Sequence, residues 1–571
     1  MKTVNKLNIV LAILAVAVFS CKKEKEKEKE VTLESIAVTT QPTKKEYVVG
    51  DEFDPAGMIV TATYSDNTKE PVTITTDMLS YDFGTAGANK TVIVTYEGKT
   101  ATVTGITVVP EEVTLVSIAV TTQPTKKEYV IGDEFDPAGM VVTATYSDET
   151  TIPVAYTELN FDYDFSTAST NKTVTITYEG NIVAVSEIIV VIFYGSGTSD
   201  APYQIGNPVQ LAKLSELMNN NPDWANKYYK LTSNIDLSNY NATNTDFNSG
   251  KGWIPIGKTT ENPFSGNFDG VNHIISSLFI NENGNSYVGL FGSVNGGTIK
   301  NLGVEIAAGG ITCNGLVGDT RVGIVGGVAG SITNGSIIIN CYVKGNVSGG
   351  YTVGGVAGGA TYGSSIINCY VIGNVNCIWD RVSDGGLGSG SGVGGVAATV
   401  RNNSIIINCY VVGNVSGNDE VGGIAGMVGS NSSVENCYTM CAISGSNGVG
   451  GVVGYVPNSG IINCAALNTN ITRTNGTFPA FGCVAGYSFS STLTGNIAWI
   501  GVTSNVTLQI SDGRGGTDII AAQAKTQATY TNMGWQFGTD DDNPWKWGDD
   551  SYPLPILYWQ TSLPELSTDF N

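Results

Sequence analysis

Trp379-Asp380-Arg381 and Asp384 crowd the residue types of ligand recognition into one short stretch, followed by a glycine-serine run. An indole offers a stacking face, and the carboxylates and guanidinium offer hydrogen bonds that suit a sugar or a peptide. Two nearby carboxylates such as Asp380 and Asp384 are also the minimum equipment for acid-base cleavage of a glycosidic bond. Asp319 and Arg321 stand in a corresponding place two repeats earlier, and Tyr351 and Asp419-Glu420 take that place in shorter repeats. No recognisable catalytic motif surrounds the pair, so we read possible ligand binding here and no catalysis. The plainer alternative is a polar loop with a self-packed Trp.

Other chemistry is narrowed by composition. The 571 residues contain one histidine, His273, which rules out a two- or three-histidine metal site. Its apolar neighbours and the preceding Asp269-Gly270 make it a turn residue. No metal site is expected. Calcium is the one cofactor considered, at Asp540-Asp541-Asp542-Asn543 or at Asp51, Glu52 and Asp54, and a solvated acidic loop is the default at both. A net charge of −22 argues against a nucleic-acid surface, which needs clustered Lys and Arg. The ten cysteines include no C-x-x-C, so zinc-ribbon and thioredoxin chemistry are unsupported.

Residues 1–21 carry Lys2 and Lys6, an apolar run from Ile9 to Phe19, and Val18-Phe19-Ser20-Cys21. The run is too short to span a bilayer and reads as a secretory signal. Residues 22–30, KKEKEKEKE, bury nothing and read as a solvated spacer.

Two repeat systems follow. Residues 31–68 recur at 113–150, an offset of 82, with four changes in 38 positions. Runs such as Ile59–Tyr64 and Val92–Tyr96 are β-branched and aromatic, bounded by turn residues, which predicts β-sandwiches over 31–110 and 113–192. Farther on, a Val-Gly-Gly motif starts at Val288 (as Val-Gly-Leu-Phe-Gly), Val325, Val353, Val393, Val421 and Val449, then at Phe481, in steps of 37, 28, 40, 28, 28 and 32. An Asn-Cys motif runs in phase: Asn340-Cys341, Asn368-Cys369, Asn408-Cys409, Asn436-Cys437 and Asn463-Cys464.

A period near 28 with short apolar runs predicts a solenoid. We expect three strands per coil in a right-handed parallel β-helix. Its asparagines would form an amide ladder at a turn, and its cysteines an inward ladder of free thiols. The fold class is therefore all-β: two β-sandwiches, then the β-helix with a short capping helix. That helix is expected at Val209–Met218, after Asn207-Pro208, with the cap and opening coils at 194–286. Repeats fill 287–500. Residues 501–571, with Trp535, Trp545, Trp547 and Trp559, are expected to form an aromatic C-terminal cap.

Three resemblances add to this. Val18-Phe19-Ser20-Cys21 resembles a bacterial lipobox, which implies lipidation at Cys21 and attachment to the outer membrane of a Gram-negative cell, exposed at its surface. Tyr47–Asp54, Ala62–Asp66 and their copies resemble bacterial Ig-like domains, implying a stalk or adhesive role. The Val-Gly-Leu-Phe-Gly and Val-Gly-Gly-Val-Ala-Gly sequences resemble the GLUG motif of bacterial surface proteins, as do Gly252–Gly257, Phe264–Gly270 and His273–Leu278 upstream. Together they imply a surface lipoprotein that binds a host or microbial glycan or protein. A polysaccharide-degrading β-helix enzyme, lyase or glycosidase, and a purely structural surface component are the alternatives.

Overall fold

A computed structural model describes residues 29–284, 287–313, 323–378, 392–476 and 480–570, with the backbone alone at 316–317 and 320–321. The signal segment and Cys21 lie outside the described residues.

The first module is a sandwich of a three-stranded sheet, Leu33–Thr40, Ile59–Tyr64 and Lys69–Val72, and a four-stranded sheet. The latter orders Glu46–Val48, Lys99–Val109, Gly87–Tyr96 and Leu79–Tyr81. Alternation drives it: Val92, Val94, Val103 and Val108 face a core centred on Tyr47, Phe53 and Phe83. The buried Tyr47 hydroxyl holds the loop, donating toward the carbonyls of Lys44 and Asp54 at 3.2 and 3.3 Å. Asp51 accepts from Lys44 Nζ and the Val48 amide, both at 3.1 Å, and these bonds hold its carboxyl below the usual range. Asp54 caps the Ala56 amide at 2.9 Å. Asp51 and Asp54 thus act as turn-forming groups. The second module repeats the four-stranded sheet with Asn160–Asp162, Ser169–Tyr178, Asn181–Val191 and Glu128–Val130.

The helix forms over Pro208–Asn220. Asn207 is its N-cap, accepting from the Gln210 amide at 2.9 Å, and Leu211, Leu214 and Met218 are fully buried in the solenoid core. The same Asn207 donates to the carbonyl of Ile131 in the second module at 2.9 Å.

The solenoid is a stack of parallel strands in three sheets. Two contain seven strands each and one contains 21. The large sheet bends within each coil, so a coil holds more than the three strands expected. One complete coil runs Thr352–Gly354, Ala357–Thr361, Ser365–Ile367 and Tyr370–Cys377. Neighbouring coils pair residue for residue, as in Tyr342↔Tyr370↔Tyr410↔Tyr438. The Val-Gly-Gly motif is the tightest corner. A Cβ on Gly354 would sit 1.9 Å from the Ala357 carbonyl oxygen, and one on Gly355 would sit 2.1 Å from that of Gly395. These glycines are demanded by close backbone approach.

The bend is made by the asparagines. Asn301, Asn340, Asn368, Asn408, Asn436 and Asn463 all have φ between 51° and 55°. This left-handed conformation is one asparagine tolerates better than most residues. It reverses the direction of pairing. The Asn408 amide donates forward to Glu435, while the Tyr410 amide donates back to Cys369, both at 3.1 Å. The intervening cysteine amide turns inward, and the next coil's sulfur accepts it. Cys369 N–H reaches Cys409 Sγ at 3.4 Å, and Cys409 N–H reaches Cys437 Sγ at 3.3 Å. At the last rung the Asn496 side chain replaces the sulfur, accepting from the Cys464 amide at 2.8 Å. The nine cysteines among the described residues are free. Burial pushes the Cys341, Cys409 and Cys437 thiols up, which keeps them protonated.

Asn408→Ala should cost about 2 kcal/mol, from left-handed strain and lost side-chain bonding. Asn408→Gly should recover the backbone share. Thermal unfolding of the two variants checks this; equal midpoints would contradict the conformational role.

Candidate functional site

Asp319, Trp379, Asp380, Arg381 and Asp384 lie outside the described residues. Arg321 is described only as strand backbone, paired with Leu316. The described residues of that corner are Tyr351, which is half-buried, and Asp419-Glu420. Asp419 accepts from Asn447 Nδ2 at 2.7 Å, and Glu420 is fully buried with φ 51°. His273 Nδ1 meets Asn234 Oδ1 at 3.2 Å, and its amide closes a turn on Gly270.

The amide ladder has a break. Asn340 Nδ2 reaches Asn301 Oδ1 at 3.3 Å, and Asn408 Nδ2 reaches Asn368 Oδ1 at 3.1 Å. Between those pairs Asp541 intrudes. Its Oδ1 accepts from Asn340 at 3.0 Å, from Asn368 at 3.3 Å and from the Tyr558 hydroxyl at 2.9 Å. Burial and the Asp541 carboxylate push the Tyr558 phenol up to about 12. Asp540, Asp541 and Asp542 are exposed, as expected of a solvated acidic loop, and Asp541 in addition fastens the C-terminal segment to the ladder.

The C-terminal cap is corrected. Residues 502–508 do cover the last coil, with Val502, Val506 and Leu508 against the core. From Ala521 onward the chain instead packs along the flank. The residue after each ladder cysteine faces outward, and four of these are tyrosines. Tyr342, Tyr370, Tyr410 and Tyr438 stack at 5.0, 5.2 and 4.8 Å with their rings nearly parallel. The column ends at Ala465, where the residue in register is small. The C-terminal segment covers the column. Trp559 stacks 5.5 Å from Tyr370, Trp545 lies 6.0 Å from Tyr438, and Trp535 Nε1 donates to the Asn463 carbonyl at 2.8 Å. The hydroxyls are satisfied too: Tyr410 bonds Gln560 at 2.7 Å, and Tyr438 bonds the Pro555 carbonyl at 2.8 Å. Burial raises both phenols well above their ordinary value. Trp535 and Trp545 are buried and cannot serve as a sugar platform, while Trp559 is half-buried against the tyrosines. The tyrosine column was missed in the sequence, although four outward tyrosines in register beside a tryptophan-rich tail were its signal.

Beside this seam runs an open groove of about 750 Å³. Lys344, Ile372, Val412 and Met440 form its floor, and Leu563–Thr568 form its wall. Next to it an exposed amide row, Asn346, Asn374 and Asn414, is linked at 2.8 and 2.7 Å. Hydrogen-bonding groups thus recur at the strand spacing of about 4.8 Å along the solenoid.

Comparison with known proteins agrees with this architecture. Residues 40–108 and 122–191 are bacterial Ig-like domains of group 3, and residues 349–376 are a GLUG motif. The halomucin of Haloquadratum walsbyi is 33% identical over 175 residues, 29% of this chain and 2% of that one. Pectate lyase L of Thermoclostridium stercorarium is 30% identical over 168 residues, 28% of this chain and 13% of the enzyme. The chain thus spans a small part of these relatives. A solved Bacteroides ovatus chain designated an immunoglobulin A1 protease aligns with 64% of this chain and 95% of its own, at 21% identity and a TM-score of 0.41.

Asp541→Ala should release the tail. Losing three bonds to a carboxylate costs about 2 kcal/mol, which corresponds to roughly thirtyfold more open state. Limited proteolysis within 521–570 should accelerate by that factor, with Asp541→Asn, which keeps an acceptor oxygen, between the two. Unchanged cleavage would remove Asp541 from the lock.

Proposed function

We propose that this chain is a cell-surface binding protein that adheres to host or microbial glycans or proteins without catalysing a reaction. In this reading Cys21 is lipidated and holds the chain on the outer membrane of a Gram-negative cell. Residues 22–30 form a spacer, and the two Ig-like modules form a stalk that presents the β-helix outward. The observation that supports it most is repetition. The modules are near copies, and the coils present polar groups in register, which suits length and multivalent contact better than a single reaction centre. No metal or cofactor is part of this reading.

A second reading is supported by one finding, the similarity to a protein named pectate lyase L. It makes the chain a polysaccharide-degrading β-helix enzyme in which Asp380 and Asp384 act as the carboxylate pair. The purely structural surface component is the third reading.

The intact chain is expected to bind on a glycan array and to release no reducing ends or unsaturated products from the bound polysaccharides. Turnover lost in Asp380→Ala or Asp384→Ala would favour the enzyme. Neither binding nor turnover on glycans, proteins or cells would leave the structural reading. Metabolic lipid labelling should disappear in Cys21→Ala, and labelling that persists there would overturn the anchor.

A further inference from the structure

We propose that the groove beside the tyrosine seam holds a neutral, linear polysaccharide, which lies along the solenoid axis with one sugar ring over each coil. This rests on the reading of the chain as a glycan-binding protein and gives that role a place and a ligand class.

Along Tyr370–Cys377, alternation turns Tyr370, Ile372, Asn374 and Asn376 outward, and each belongs to a column that runs through the neighbouring coils. The first is the covered tyrosine column. The second runs Glu305, Lys344, Ile372, Val412 and Met440 in register. Its two charged members pair at 3.8 Å, and Lys344 Nζ also donates to Ser562 Oγ of the C-terminal segment at 3.3 Å, at one end of the groove. The other three are apolar. Ile372 and Val412 are half-buried, and the segment that covers the tyrosines passes beside them with Leu563 and Leu566 in its wall. The floor is an apolar strip that continues the interface between this segment and the solenoid.

The third column is the exposed amide row. Asn374 donates to Asn346 and accepts from Asn414, which leaves it a second N–H and a second carbonyl lone pair. Beyond it the fourth column, Ser348, Asn376, Ser416 and Ser444, adds hydroxyls and a further amide. Gly373 and Gly413 lie between floor and amides. A Cβ on either would sit 2.0 or 1.9 Å from a carbonyl oxygen of the preceding coil, so this strip is bare backbone and deepens the trough.

An apolar floor with amides along one edge suits a ring that has an apolar face and hydroxyl edges, which is the chemistry of a pyranose. The repeat decides between extended ligands. A peptide strand presents like groups every roughly 6.6 Å, out of step with coils about 4.8 Å apart. A linear pyranose chain advances by close to one coil per ring. Charge decides between glycans. Among the described residues the groove has one cation, Lys344, paired with Glu305, and one carboxylate, the exposed Glu565, in a chain of net charge −22. That field repels an acidic polysaccharide and favours a neutral one.

Isothermal titration of the full chain with cellohexaose, mannohexaose and xylohexaose tests the assignment. At least one should bind. Its affinity should climb at least about tenfold from the disaccharide to the tetrasaccharide and level off beyond the pentasaccharide, because the floor ends with its coils. A hexagalacturonate should bind no more tightly. The double variant Asn374→Ala, Asn414→Ala should weaken the bound sugar by about tenfold, and Val412→Thr, which keeps the shape of the floor, should weaken it severalfold. Asn295→Ala, in an amide pair elsewhere on the solenoid, should change nothing. Thermal midpoints like that of the parent protein exclude misfolding as the cause. Affinity independent of length, tighter binding of the hexagalacturonate, or binding unchanged in the double variant overturns the proposal. So does concentration-dependent dimerisation in sedimentation that the double variant abolishes, which would give this face to a second copy of the chain. If no hexasaccharide binds while the glycan array still shows retention, this site fails and the broader reading stands. An empty array sinks the glycan reading itself.

Discussion

Everything in the solenoid depends on one backbone constraint, the left-handed asparagine at each bend. Placing φ near 53° once per coil turns the chain without lengthening it, so successive coils remain in register. The same turn swings the following amide into the core, where an unpaired N–H costs about 1–3 kcal/mol. The cysteine column answers that cost with a small, apolar side chain whose sulfur accepts the amide of the preceding coil. Asn and Cys are therefore one device. The asparagine creates a donor that only an adjacent coil can satisfy, which couples each coil to the next and makes the stack cooperative.

Register then has a consequence on the outside. A residue fixed two positions after the asparagine appears at the same height on every coil, so four tyrosines form a continuous apolar strip. Left bare, such a strip would be an adhesive patch. The C-terminal segment resolves this by running along the flank, with Trp545 and Trp559 against the rings and Asp541 inserted between two asparagine pairs. A carboxylate suits that position because it accepts several donors at once, and the ladder there offers two amide donors.

The repeat architecture was legible in the sequence because a β-helix writes its geometry at a fixed period. Val-Gly-Gly, Asn and Cys recur in phase, and Asn207-Pro208 marked the capping helix to within a residue or two. The position of residues 521–570 was not legible. Its partner column is about 100–200 residues away in sequence, and four tryptophans signal burial without naming the surface they cover. The acidic run at Asp540–Asn543 is exposed as its composition implies, but its contact with the ladder was not legible, because the asparagines that meet Asp541 belong to another element. The number of strands per coil also escaped, because a left-handed residue inside an apparent strand splits it without changing its apolar pattern.

A solenoid separates scaffold from surface more completely than a globular fold does. Inward positions are held by stacking: Val, Ile and Cys recur there, and the corner glycines have no room for a Cβ. Outward positions answer only to their neighbours in the same column. A departure from column chemistry is therefore informative. On the tyrosine flank, four like residues are covered and serve packing. On the sheet that carries Ala397–Arg401, one outward column runs Ser331, Gly359, Thr399, Met427, Tyr455 and Tyr487 and changes chemistry from coil to coil. Stacking does not require rings there, since Ser331, Gly359 and Thr399 occupy the same column in earlier coils.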